Sequence, residues 1–82
     1  MPFYCYILEC ADGTYYTGWT SDPDRRLRQH NNGTASRYTR SRLPVSLVYL
    51  EPQPDRVTAM RRERAIKNFP RVKKEELVAR GT

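Results

Sequence analysis

The order of apolar and polar positions predicts a β-hairpin at the start of the chain. Phe3-Tyr4-Cys5-Tyr6-Ile7-Leu8 is aromatic and β-branched enough for a strand. Ala11-Asp12-Gly13-Thr14 bounds it, and Tyr15-Tyr16-Thr17-Gly18-Trp19 is the natural return strand. Loop length decides what that hairpin can do. A two-residue Asp12-Gly13 turn pairs Tyr6 with Trp19 and puts Tyr6 and Tyr16 on opposite faces. A three-residue Ala11-Asp12-Gly13 loop with a left-handed Gly13 pairs Tyr6 with Gly18 and Leu8 with Tyr16. The two tyrosines then share a face, and the missing side chain at Gly18 leaves room above Tyr6.

Helical signals follow. Asp22 is a capping residue, Pro23 suits the first helical position and Asp24 favours the positive end of the dipole. The helix runs through His30 and stops near Asn31-Asn32-Gly33, with Arg26 and His30 four apart on one face. Residues 34–42 are basic and hydroxyl-rich, fit a short second helix, and end before Pro44. Val45 to Leu50 is a third strand whose nearly unbroken apolar run points to a central position covered on both faces. Pro52-Gln53-Pro54 reads as a connector. Asp55 caps a helix reaching about Asn68, and after Pro70 a fourth helix spans Lys73 to Arg80. In the third helix Ala59, Met60 and Ile66 form an apolar stripe with Glu63 near its middle.

With 82 residues the chain is expected to be a single domain, residues 1–82, and 38 % hydrophobic content limits its core. The six tyrosines must supply much of the buried area. No apolar run approaches membrane-spanning length and the N-terminus lacks a signal-peptide pattern, so a cytoplasmic location is the expectation. Cys5 and Cys10 have odd spacing, so on one strand they face opposite ways and cannot bridge. Without a nearby histidine they also fall short of a zinc site.

Charge narrows the function classes. Residues 1–24 carry four acids and no Lys or Arg, whereas residues 25–82 hold all fifteen basic groups against five acids, a net of +10. Twelve of the fifteen are Arg, whose planar fork suits phosphate oxygens, so a nucleic acid or another polyanion is the expected partner. Cutting a phosphodiester needs an activated nucleophile, cations on the phosphate and a proton for the leaving oxygen. Glu63 fits a lone metal anchor as well as a salt bridge to Lys67 or a neighbouring Arg, Arg26 a phosphate clamp, and His30 a proton shuttle or a support for a tyrosine. A tyrosine acting as anionic base at neutrality needs its pKa lowered by about three units, some 4 kcal/mol; a neutral relay avoids this.

The order of these parts resembles the GIY-YIG nuclease superfamily over nearly the whole chain. Cys5-Tyr6-Ile7 stands at the first motif, Tyr16-Thr17-Gly18 at the second, Asp24 to His30 at the family's Arg- and His-containing helix, and Glu63 at its metal-binding glutamate. Ser36-Arg37-Tyr38-Thr39-Arg40 and Ala65-Ile66-Lys67 are similar to small stand-alone bacterial members of the YhbQ-like type. The resemblance implies an α+β fold, a small three-stranded antiparallel sheet flanked by helices in the order β-β-α-α-β-α-α. It also implies hydrolysis of DNA, structure-selective and linked to repair or recombination, with a single Mg²⁺ or Mn²⁺. Tyr6 would be the activating or relaying hydroxyl, Tyr16 a second hydroxyl in the water network and Arg26 the phosphate ligand, with His30 supporting a tyrosine and Glu63 binding metal. Arg25, Arg37, Tyr38, Arg40 and Lys67 are further candidate nucleic-acid contacts. RNA is also compatible, a protein partner could supply specificity, and an inactive nucleic-acid-binding module of the same fold is the alternative. The chain departs from the pattern at the glycine opening the first motif, at Thr17, and in having only Asn68, close to Glu63, for an asparagine many family nucleases carry.

Overall fold

The hairpin closes through the three-residue loop. In the computed structural model, which describes residues 2–80, Cys10 N–H donates to Thr14 O at 2.8 Å, Gly13 N–H donates to Cys10 O at 2.9 Å, and Gly13 sits at φ +84°. That left-handed residue is what the bulged loop requires. Strands β1 (Phe3–Glu9) and β2 (Tyr15–Thr20) therefore pair with Tyr6 opposite Gly18 and Leu8 opposite Tyr16.

Helix α1 spans Pro23–Asn31, with the Asp22 carboxylate accepting from Arg25 N–H at 3.2 Å. A single helical turn, α2, covers Arg37–Arg40 and is capped by Ser36 Oγ, which accepts from Tyr38 N–H at 3.1 Å. Strand β3 (Ser46–Gln53) returns to the sheet, α3 (Arg56–Lys67) follows a cap in which Asp55 accepts from Thr58 N–H at 2.7 Å, and α4 (Arg71–Arg80) closes the order. The fold is the α+β arrangement expected, with three antiparallel strands in the order β2-β1-β3.

Four expectations need correction. The central strand is β1, and β3 lies at an edge. The apolar run in β3 arises instead from a bulge: Ile7 faces Tyr49 while Leu8 faces Leu47, so Val48 is inserted. Leu47 and Leu50 then pack on one face, and Val48 and Tyr49 share the other. Pro52 and Gln53 belong to this strand rather than to a connector, which an edge position tolerates because proline has no N–H to offer the ladder. In α3, Ala59 and Ile66 are fully buried but Met60 is 44 % exposed, so the stripe excludes it. The fourth helix begins at Arg71, two residues earlier than expected, with Lys73 and Lys74 N–H both donating to Pro70 O.

The sheet divides two apolar clusters. On one side Cys5, Ile7 and Tyr49 pack with Ala59 and Ile66 of α3 and Leu77 of α4. On the other, Tyr6, Leu8, Cys10 and Val45 pack with Tyr16 and with Leu27 of α1. Each fully buried aliphatic side chain, such as Ile7, Leu8 or Ile66, contributes about 1.5–3 kcal/mol. Cys5 and Cys10 are free, buried and in different clusters, as their spacing requires.

Candidate active site

The second cluster carries the chemistry. The register puts the Tyr6 and Tyr16 rings on the face covered by α1, and the last turn of α1 brings His30 between them. Tyr6 Oη lies 2.9 Å from His30 Nε2, and the Tyr16 ring meets the imidazole edge-on at 5.1 Å between centroids. Gly18 makes the pairing possible: a methyl there would lie 2.5 Å from Tyr6 Cζ.

His30 is 1 % exposed, and both of its nitrogens are engaged, since Nδ1 lies 2.8 Å from Thr39 Oγ1. Thr39 Oγ1 also lies 3.4 Å from Ser36 O, so in the tautomer protonated at Nδ1 the threonine accepts from His30 Nδ1–H and donates to that carbonyl. Nε2 is then the acceptor, and Tyr6 donates its hydroxyl proton to it. Burial, aided by the Arg26 guanidinium, pushes the imidazole down to about 4 and keeps it neutral at physiological pH. Burial also raises the Tyr6 phenol well above its ordinary value. The neighbouring Tyr16 and Glu63 push it the same way, and Arg26 opposes them. Tyr6 is therefore neutral, with its lone pairs available as acceptors. Arg26 and Glu63 thus act electrostatically on the same hydroxyl.

Glu63 is half-buried, and its Oε2 pairs with Lys67 Nζ at 3.2 Å. Lys67 Nζ lies 6.0 Å from the Tyr16 ring centre, so the pair stands beside the tyrosines. Oε1 accepts no hydrogen bond among the described residues. The salt bridge to Lys67 therefore exists and leaves one carboxylate oxygen for another ligand. Behind Glu63, Arg62 holds Glu51 through Nε at 2.6 Å and Nη2 at 3.1 Å, tying α3 to β3. Burial works against the Glu51 charge, but Arg62 and the Tyr49 hydroxyl hold its carboxyl below the usual range.

Among the described residues no group of three or more His, Cys, Asp or Glu side chains could hold a metal. A lone carboxylate still suits a hard octahedral ion, which keeps several waters and is bound through one or two carboxylates plus substrate phosphates. The donor set fits Mg²⁺ or Mn²⁺ at Glu63; with both nitrogens used, His30 offers nothing to a softer metal.

Of the other candidates, Tyr38 stacks on Tyr16 at 5.9 Å and Arg25 lines a cavity with Arg26. Arg37 and Arg40 are exposed on α2, and no hydrogen bond or ion pair joins their side chains to the tyrosine cluster among the described residues. Asn68 is exposed at the C-cap of α3. The departures within the two strand motifs, at Cys5 and Thr17, lie on the sheet face away from the tyrosines. Cys5 packs in the α3 cluster, its thiol donating to Ala59 O at 3.1 Å and pushed up to about 11 chiefly by burial. Thr17, paired with Ile7, is buried with an unpartnered Oγ1. Two contributors escape the sequence pattern: Thr39, and Arg42, which lies 3.9 Å over the Tyr38 ring and pairs with Asp12 at 3.1 Å. The basic, hydroxyl-rich character of 34–42 and the family-like segment Ser36 to Arg40, which contains Thr39, were their signals.

The fold and site define a small α+β domain. Its three-stranded antiparallel sheet and first helix carry buried Tyr6 and His30 and half-buried Tyr16, with an arginine and a glutamate acting on the Tyr6 hydroxyl. The family model of the GIY-YIG catalytic domain matches residues 2–75, and the chain belongs to that family. It is 48 % identical to a UPF0213 protein of Haloquadratum walsbyi, over 96 % of this chain and 89 % of the relative. Two solution NMR structures are similar to it. One is a UPF0213 protein from Bacillus halodurans, 48 % identical, covering 96 % of this chain and 84 % of that one with a TM-score of 0.61. The other, from E. faecalis, is 40 % identical with a TM-score of 0.63, covering 93 % of this chain and 81 % of that one.

Proposed function

We propose that this protein is a divalent-metal-dependent endonuclease that hydrolyses phosphodiester bonds in DNA, selects its target by structure rather than sequence, and serves DNA repair or recombination in the cytoplasm. The observation that carries this reading is the hydrogen-bonded chain Tyr6 Oη, His30 Nε2, His30 Nδ1, Thr39 Oγ1, which begins at a neutral acceptor and ends away from solvent.

The chain works as a relay. An attacking water gives a proton to the Tyr6 oxygen while Tyr6 passes its own to His30 Nε2, so no free phenolate forms. Substrate binding favours this route. A phosphate on Arg26 offsets the guanidinium charge that depresses His30, and the same negative charge opposes ionisation of Tyr6. Glu63 Oε1 would hold Mg²⁺ or Mn²⁺, whose chemistry is to stabilise negative charge on the phosphate and leaving oxygens.

Glu63→Ala and Arg26→Ala should each lower cleavage of plasmid or branched DNA by at least about a hundredfold in Mg²⁺ or Mn²⁺ while folding is retained. Cleavage by Glu63→Ala at the parental rate would overturn the assignment. DNA binding by the parent without cleavage of any DNA or RNA structure would instead favour the inactive binding module.

A further inference from the structure

A polar concavity lies where the end of β2 meets the first turns of α1. Arg25, Arg26 and Gln29 of α1 face Thr20, Ser21 and Asp22 across a cavity of about 170 Å³. Its chemistry is lopsided. Among the described residues neither guanidinium forms an ion pair, and Ser21 Oγ and the Gln29 side-chain amide make no hydrogen bond. Two of its acceptors are already used: Asp22 Oδ1 caps Arg25 N–H at 3.2 Å, and Thr20 Oγ1 accepts from Asp22 N–H at 3.1 Å. One carboxylate against two guanidinia leaves a site rich in donors and net positive, which calls for a small anionic ligand with several acceptor oxygens.

Arg26 belongs to this cavity and stands one helical turn before His30 on α1, and Thr20 lies two positions from Gly18, on the tyrosine face of β2. A ligand group here must therefore neighbour whatever occupies the catalytic face. We infer that the Arg25–Ser21–Gln29 cavity is a subsite for the backbone phosphate next to the scissile one, with Arg26 standing between the two. This inference rests on the nuclease reading and adds strand placement to it. The cut strand runs past the start of α1 and carries a charged phosphodiester beside the cut.

The test uses a fluorescein-labelled 20-base-pair DNA duplex bound in Ca²⁺, in which each phosphate near the mapped cut is replaced singly by an uncharged methylphosphonate. For the parent, one neighbouring substitution should weaken binding about five- to tenfold. In Arg25→Ala that substitution should cost nothing further, and the slope of log affinity against log salt should fall by about 0.9. The Asp22 cap survives this change because it holds the Arg25 backbone N–H. Arg61→Ala, on a separate cleft with Val57, Met60 and Arg64, should keep the parental methylphosphonate profile. Identical profiles for the parent and Arg25→Ala would overturn the subsite. If the parent cuts nothing, the nuclease reading fails by itself, and the salt slope alone decides: a fall of about one unit with Arg25→Ala supports the subsite, and an unchanged slope overturns it.

Discussion

A single histidine carries the connection between stability and chemistry. His30 is held neutral, with its pKa pushed down to about 4 against an unfolded value of 6.5. In the unfolded chain it binds a proton as pH falls through 6.5, while in the folded protein it does so only near 4. Its contribution to stability is thus complete above pH 6.5, declines as pH falls toward 4, and is constant below. The amount at stake reaches about 3 kcal/mol. Urea midpoints measured from pH 7 to 4 should fall more steeply for the parent than for His30→Gln. Equal slopes would mean that the imidazole is not held neutral by the fold. His30 and both tyrosines were legible in the sequence because motif spacing marks them. Thr39 was not: it sits in a helix of one turn, where no periodicity separates a buried hydroxyl from an exposed one.

The hairpin is the element that makes the site. Its three-residue loop could be written down from Gly13 and from the requirement that Tyr6 and Tyr16 cooperate, and the register agrees. Gly18→Ala tests that geometry without touching α1. The added methyl must displace the Tyr6 ring and break its hydrogen bond to His30. Cleavage should drop by about a hundredfold, with a stability loss of about 1–3 kcal/mol, read from initial rates and urea unfolding. A rate within about threefold of the parent would show that the relay is dispensable. The place of β3 in the sheet was not legible. Hydrophobic content reports burial on two faces and does not report which strand lies between the others. Pro52 was the available sign of an edge.

Across the whole molecule, charge separates along the chain and is only partly spent on internal pairs. Arg42, Arg62, Lys67 and Arg71 have carboxylate partners. Most other cations of residues 25–80 form no ion pair among the described residues, so the basic footprint expected from composition remains available to a polyanion. With about four phosphates neutralised, affinity for duplex DNA should fall about a hundredfold between about 50 and about 200 mM salt. A flat salt response in fluorescence anisotropy would contradict a phosphate-led interface. Composition revealed the sign and size of this charge. Which arginines are tied down depended on tertiary contacts such as Asp12–Arg42, thirty positions apart. No helix among the described residues is long and apolar enough to cross a membrane.

The inserted Val48 bears on how the chain can change length. Removing it would let Leu47 and Tyr49 follow each other opposite Leu8 and Ile7, in ordinary alternation, with every remaining side chain on its present face. A one-residue deletion inside β1 or β2 would instead turn every residue beyond it to the wrong side. Position 48 is therefore where this sheet can absorb a gap, at the loss of one valine's packing, while Tyr6 and Tyr16 stay in place.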